Sequence, residues 1–144
     1  DGENLLLATP TASGKSLCYL LPALAAARHG GKALFLFPTK ALAQDQVAEL
    51  IELSTAGHLG VRAATFDGDT SGDARQAIRA SGDVVVTNPD MLHQAILPHH
   101  TKWAALFENL RYVVIDEIHG YRGVFGSHVA NVIRRLKRLC AFYG

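Results

Sequence analysis

This 144-residue chain has little that would tie it to a membrane, an oxidising compartment or a disordered state. No apolar run approaches the roughly 20 residues needed to span a bilayer as a helix. The run Leu5-Leu6-Leu7-Ala8 is short and lacks the basic flank of a secretory leader. There are two cysteines, Cys18 and Cys140, far apart and away from any histidine cluster. They are expected to be reduced core residues of an intracellular protein, neither a disulfide nor a zinc pair. Charge of one sign is also lacking. The net charge of +1 gives no basic excess of the kind a stand-alone nucleic-acid module carries. It is compatible with a domain that meets an anionic partner through a few loop groups. Repeats, low-complexity tracts and linkers are missing as well.

What the chain has is an alternation of apolar runs and helical stretches. Hydrophobic residues make up 49% and charged residues 19%, enough for one domain with a full core, residues 1–144. Strands are expected near Asn4–Ala8, Ala33–Phe37, Val61–Thr65, Asp83–Thr87 and Arg111–Asp116. Their runs are apolar on both faces, which predicts parallel strands covered on both sides. Helices are expected over Lys15–Arg28, Lys40–Ser54, Ser71–Ala80, Pro89–Ile96, Thr101–Glu108 and Gly126–Phe142. Gly30-Gly31 and Ala56-Gly57 are stop signals, and Pro89 fits a first turn. Within Lys40–Ser54 the residues Leu42, Val47, Leu50, Ile51 and Leu53 form the expected apolar face.

Polar segments fall at the carboxyl ends of these strands, where open α/β sheets place their sites. They are Thr9–Ser16, Pro38–Gln44, Asp67–Thr70, Thr87–Leu92 and Asp116–His119. The first, Thr9-Pro-Thr-Ala-Ser-Gly-Lys-Ser16, has the parts of a triphosphate cradle. Backbone N–H groups of Thr11, Ala12, Ser13 and Gly14 at a helix start would hold phosphate oxygens. Lys15 would place an ammonium between the β- and γ-phosphates, and Ser16 would give its hydroxyl to Mg²⁺. The strict pattern wants glycine where this chain has Thr9. Read alone, the segment is also an ordinary capped helix start.

The last segment, Val113-Val-Ile-Asp-Glu-Ile-His119, puts two acids after a buried strand. A carboxylate there needs a cation or a partner. Asp116 would support Mg²⁺, and Glu117 would orient and polarise an attacking water. The alternative is an acidic pair at a helix start. His119 reads equally as a hydrogen-bonded structural residue or as a coupler of hydrolysis to movement.

These residues together resemble the first RecA-like lobe of superfamily 2 DExH-box helicases. Thr9–Ser16 is similar to motif I, Pro38-Thr-Lys-Ala-Leu-Ala43 to motif Ia, Thr87-Asn-Pro-Asp-Met-Leu92 to motif Ib, and Asp116-Glu-Ile-His119 to motif II. The stretches Thr11–Tyr19, Asp67–Thr70, Asn88–His93 and His119–Ala130 resemble the branch of 3′-to-5′ DNA helicases with RecQ-four-like enzymes and bacterial mitomycin-repair helicases. The resemblance implies a P-loop, RecA-like three-layer α/β sandwich with a mainly parallel sheet. It implies ATP and Mg²⁺ as cofactors, with Lys15, Asp116, Glu117 and His119 catalytic. It implies single-stranded DNA as the track, a role in DNA repair, and a cytoplasmic, nucleoid or nuclear setting. Motifs Ia and Ib then nominate Thr39, Lys40, Thr87 and Asn88 as nucleic-acid contacts. Their other reading is two helix caps and a solvated lysine. Asp67 and Asp69 would repel phosphate, so that loop reads as a backbone scaffold, with Thr70 as a helix cap.

The resemblance also implies a second RecA-like lobe that supplies arginines to the transition state. This chain is expected to be a fragment of a larger helicase, poorly active alone. Two other readings stand beside it: a P-loop ATPase that remodels a non-nucleic-acid partner, or an RNA helicase. A catalytically dead assembly domain is disfavoured by the joint presence of Lys15, Asp116 and Glu117.

Overall fold

A computed structural model describes residues 17–116 and 123–144. The predicted strand at 4–8, the segment Thr9–Ser16, and Glu117 and His119 lie outside the described residues. In chain order the elements are α1 (Leu17–Arg28), β1 (Lys32–Leu36), α2 (Lys40–Ala56), β2 (Ala63–Thr65), α3 (Gly72–Ser81), β3 (Val84–Thr87), α4 (Pro89–Met91), α5 (Ala104–Asn109), β4 (Leu110–Ile115) and α6 (Gly123–Tyr143). The four strands form one sheet in the order β2-β3-β1-β4, and every pairing is parallel.

Alternation along the central strands builds two cores. Ala33, Phe35, Phe37, Val84 and Val86 face one way and pack against Leu20, Ala23 and Leu24 of α1 and Ala43 and Leu50 of α2. Leu34, Leu36 and Val85 face the other way, onto a layer that includes Ile78, Leu92, Trp103, Phe107, Val132 and Leu136. Period-two alternation between two helical layers gives the expected three-layer α/β sandwich. All of β3, and β1 from Ala33 on, is buried. That explains why their sequences are continuously apolar.

Three expectations need correction. The first concerns β4, which was expected to be covered on both faces. Among the described residues it is an edge strand paired only with β1, and Tyr112 and Val113 stay 43% and 39% exposed. The second concerns the buried face of α2. Leu50 is buried and Val47 and Leu53 pack against the core as expected, but Leu42 and Ile51 are exposed, and Ala43, Gln46 and Ser54 are buried instead. Side-chain hydrogen bonds permit two polar residues to sit in that face: Gln46 lies against the Tyr19 hydroxyl, and the Ser54 hydroxyl oxygen accepts from the Val61 N–H. The third concerns the helix expected over Pro89–Ile96. Only its first turn is α-helical; a π-helical stretch follows at Leu92–Ile96 and a 3₁₀ stretch at Leu97–Trp103. Pro98 has no N–H to continue the α-helical ladder, and the backbone kinks at His99.

Trp103 closes the second core. Its ring is fully buried, meets Phe66 edge-on at 4.8 Å between centroids, and leaves its indole N–H without an acceptor. Trp103→Ala is expected to cost about 3–5 kcal/mol of unfolding free energy. Trp103→Phe should cost clearly less, because the unpaired donor is removed along with the lost area. Denaturant unfolding followed by far-UV circular dichroism measures both. Equal losses for the two variants would contradict this account of the site.

Candidate functional site at the carboxyl edge of the sheet

Because all four strands are parallel, the segments that leave them emerge on one edge. Three of the five polar segments read from sequence, and Asp116 at the head of a fourth, are therefore brought together there; Thr9–Ser16 and residues 117–119 lie outside the described residues. The strand ends are bonded to one another. The Phe37 N–H donates to the Thr87 carbonyl at 2.9 Å, the Phe66 N–H to the Val86 carbonyl at 2.9 Å, and the Asp116 N–H to the Leu36 carbonyl at 3.1 Å.

Asp116 stands immediately after β4, half-buried. Its Oδ2 is 2.9 Å from the Tyr19 hydroxyl, which also lies 2.8 Å from Gln46 Oε1. A phenol carries one proton, and the anionic carboxylate is the stronger acceptor. The Tyr19 ring is held edge-on against Phe35 at 5.4 Å. So α1, α2 and the end of β4 converge on one hydroxyl. Sequence reasoning missed Tyr19 and Gln46. The available signals were the four-residue step from Lys15 to Tyr19 on an expected helix and a glutamine inside the buried period of α2.

The four nominated nucleic-acid residues divide. Thr39 caps α2: its hydroxyl oxygen accepts from the Leu42 N–H at 3.2 Å. A capping hydroxyl keeps its own O–H to donate. Asn88 caps α4 through Oδ1, 2.9 Å from the Met91 N, and its amide NH₂ is not used in the cap. Lys40 is exposed and pairs with Asp69 at 2.8 Å. Thr87 is corrected as a side-chain contact. It is buried, and its hydroxyl donates inward to the Phe66 carbonyl at 2.6 Å.

The Asp67–Thr70 loop is a scaffold, as its acids suggested. Asp67 is buried; Oδ1 accepts from the Asp69 N–H at 2.8 Å, and the Asp67 N–H donates to the Thr70 hydroxyl oxygen at 2.9 Å. Arg75 ties the loop to α3 by donating to the Thr70 and Asp67 carbonyls while its guanidinium lies over the Phe66 ring. The helix cap here is Ser71 rather than Thr70, whose hydroxyl is turned into the loop.

A second tie joins the segment after β3 to α6. His128 Nε2 is 3.6 Å from Asp90 Oδ1, His93 and His128 meet edge-to-face at 5.0 Å, and Arg135 Nη1 bonds His93 Nδ1. A guanidinium only donates, so His93 Nδ1 is the acceptor and its ring proton sits on Nε2. Nothing in the sequence pattern pointed to this cluster. Among the described residues no group of three or more His, Cys, Asp or Glu is arranged to hold a metal ion, and no helix is long and apolar enough to cross a membrane.

A parallel sheet with its strand-end carboxylate and capped helix starts on one edge is the frame of a nucleotide-driven enzyme lobe. The sequence matches the DEAD/DEAH box helicase family over residues 1–142, and the chain belongs to that family. It is 63% identical to the uncharacterized ATP-dependent helicase YprA of Bacillus subtilis, over 99% of this chain and 19% of that protein. It is 46% identical to the ATP-dependent helicase hrq1 of Schizosaccharomyces pombe, over 100% of this chain and 14% of that protein. Among solved structures, the DUF1998 helicase MrfA bound to DNA and AMPPNP superposes with a TM-score of 0.95 at 63% identity, covering 99% of this chain and 20% of that one. The chain thus spans about a fifth or less of the length of these relatives.

The Lys40–Asp69 pair has a measurable signature. The hydrogen bond from Lys40, then its charge, holds the Asp69 carboxyl below the ordinary 3.8; the same bond and charge raise Lys40 above 10.5. The depressed carboxyl contributes stability that is present above pH 3.8 and lost as pH falls through its lowered value. The raised ammonium contributes stability present below pH 10.5 and lost as pH rises through its raised value. Both groups are exposed, so solvent and salt screen the effect. Carbon-detected NMR titration should find Asp69 below its ordinary midpoint and returned toward it in Lys40→Ala; an unmoved Asp69 would remove the pair.

Proposed function

We propose that this chain is the ATP-binding lobe of an ATP-dependent DNA helicase that couples hydrolysis to movement along single-stranded DNA, 3′-to-5′, in DNA repair. The observation that carries the proposal is the Tyr19–Asp116 hydrogen bond. It joins the acid that opens motif II to the helix that follows motif I, which are the two segments a phosphoryl-transfer site needs in register. Similarity to helicases, one of them solved with DNA and a nucleotide analogue, supports it.

In this reading Lys15 and the N–H groups of Thr11–Ser16 hold the phosphates, Glu117 positions the attacking water, and His119 couples the site to motion. Asp116 is a half-buried hard-oxygen ligand at a strand end, a chemistry that fits Mg²⁺. With Ser16 it would hold the ion, whose charge would offset that developing on the phosphate oxygens. Tyr19 acts as a positioning residue for Asp116. Thr39 and Asn88, with donors left over from capping, and Lys40 hold phosphates of the strand. Asp69 competes with that strand for Lys40. A second RecA-like lobe of the parent protein completes the site.

ATP hydrolysis by the full-length protein with single-stranded DNA, duplex DNA, single-stranded RNA and no nucleic acid tests the proposal. Stimulation by single-stranded DNA that disappears in Lys15→Ala is expected. Hydrolysis that depends on Lys15 but ignores every nucleic acid would point instead to a remodeller of another partner. Tyr19→Phe should lower kcat roughly ten- to 150-fold with KM for ATP little changed, the size of one hydrogen bond to a charged group. Asp69→Asn should tighten single-strand binding and Lys40→Ala weaken it. Shifts of the same sign in those two variants would rule out the competition.

A further inference from the structure

The cations of this chain are unevenly placed. Four of its fourteen Lys and Arg fall within five residues, Arg134, Arg135, Lys137 and Arg138, in a helix that contains no Asp or Glu over all its 21 residues. The buried side of α6 is Val129, Val132 and Leu136. The opposite side carries Asn131, Arg134, Lys137 and Arg138, all exposed and spaced three or four apart, so they share one face. Arg134 donates to Asn131 Oδ1 at 2.8 Å, which holds its guanidinium along the helix, and Arg135 is anchored on His93. Among the described residues, none of the four cations meets a carboxylate within ion-pair distance, whereas Lys32, Lys40 and Arg62 all do. A chain of net charge +1 therefore concentrates unneutralised charge on one ridge.

That ridge is separate from the carboxyl edge. α6 begins seven residues after Asp116 and packs across the sheet face, and Arg134 lies about 16 Å along it from Gly123 at 1.5 Å per residue. We infer that the Arg134–Lys137–Arg138 face of α6 is a second nucleic-acid contact, one that grips the phosphate backbone of duplex DNA. This goes beyond the single-strand track proposed above. A duplex presents about one negative charge per 1.7 Å of axis, the densest partner such a ridge can meet. Two of the three exposed cations are arginines, whose planar forks suit phosphate oxygens. The face offers a single exposed ring, Phe142 one turn beyond Arg138, rather than the run of stacking platforms a single strand uses. The nearest exposed aromatic, Phe142, already has its ring in edge-on contact with Tyr143 and His100.

The test is the full-length protein with Arg134→Glu, Lys137→Glu and Arg138→Glu combined, and a second variant with glutamine at the same positions. The probes are a single-stranded DNA tail alone and the same tail joined to a duplex, read by fluorescence anisotropy across a salt series without nucleotide. Both variants should bind the tail as the parent does and retain its thermal midpoint. The charge reversal should weaken binding to the tailed duplex roughly tenfold or more and, losing up to three phosphate contacts, flatten its salt slope by about 2–3 units; the glutamine variant should lie between. An equal loss on the tail alone would make the ridge part of general electrostatics and overturn the inference. So would unchanged binding to both probes, which would leave the ridge to an acidic protein surface. If the parent itself fails to bind the tail or to hydrolyse ATP, the proposed function falls; the comparison of tailed duplex with tail judges the ridge separately.

Discussion

β3, and β1 from Ala33 on, have no exposed face, and that constraint orders the rest of the lobe. Residues 33–36 and 84–87 point alternately into two apolar layers. Each fully buried Leu or Val side chain contributes about 1.5–3 kcal/mol relative to exposure. A strand buried on both sides needs a helix over each face, and helices that return across the sheet leave the strands parallel. Parallel strands send all their exits to one edge. The convergence of Thr39, Lys40, Asp69, Asn88 and Asp116 is therefore a consequence of hydrophobic layering, before any of them meets a ligand.

On that edge the polar groups are held by one another. The Asp67 loop is closed by its own carboxylate, by Thr70 and by Arg75. Thr87 is used inside, to bond the end of β3 to Phe66. Tyr19 spans from α1 to Asp116 and touches Gln46 of α2 on the way. The edge is thus pre-set by its own hydrogen bonds, the rigidity a binding site would need.

The sheet was legible because two-sided burial writes itself as uninterrupted apolar runs. Residues 33–37 and 83–87 were placed to within a residue of β1 and β3. Caps were legible because Thr39 and Asn88 stand one residue before their helices. The face of α2 was legible only at Val47, Leu50 and Leu53, since Gln46 and Ser54 are buried with Tyr19 and Val61 opposite them, partners that helix periodicity does not reveal. The π and 3₁₀ stretches between Leu92 and Trp103 depend on how Pro98 and a buried Trp103 are accommodated together. Tyr112 and Val113 are exposed where β4 stands at the edge of the described strands, and an apolar run looks the same at an edge as at the centre. Among the nominated residues, spacing gave no hint that Thr87 turns inward or that Lys40 is paired with Asp69.

Trp103 is the one tryptophan in the chain, fully buried, with its N–H bonded to nothing. An indole in so dry a setting emits at the short-wavelength end of its range. It sits in the helical layer on one face of the sheet, its ring against Phe66 directly after β2. The molecule thereby carries its own optical gauge, one that shifts to the red when the second core opens and that touches the carboxyl edge through Phe66.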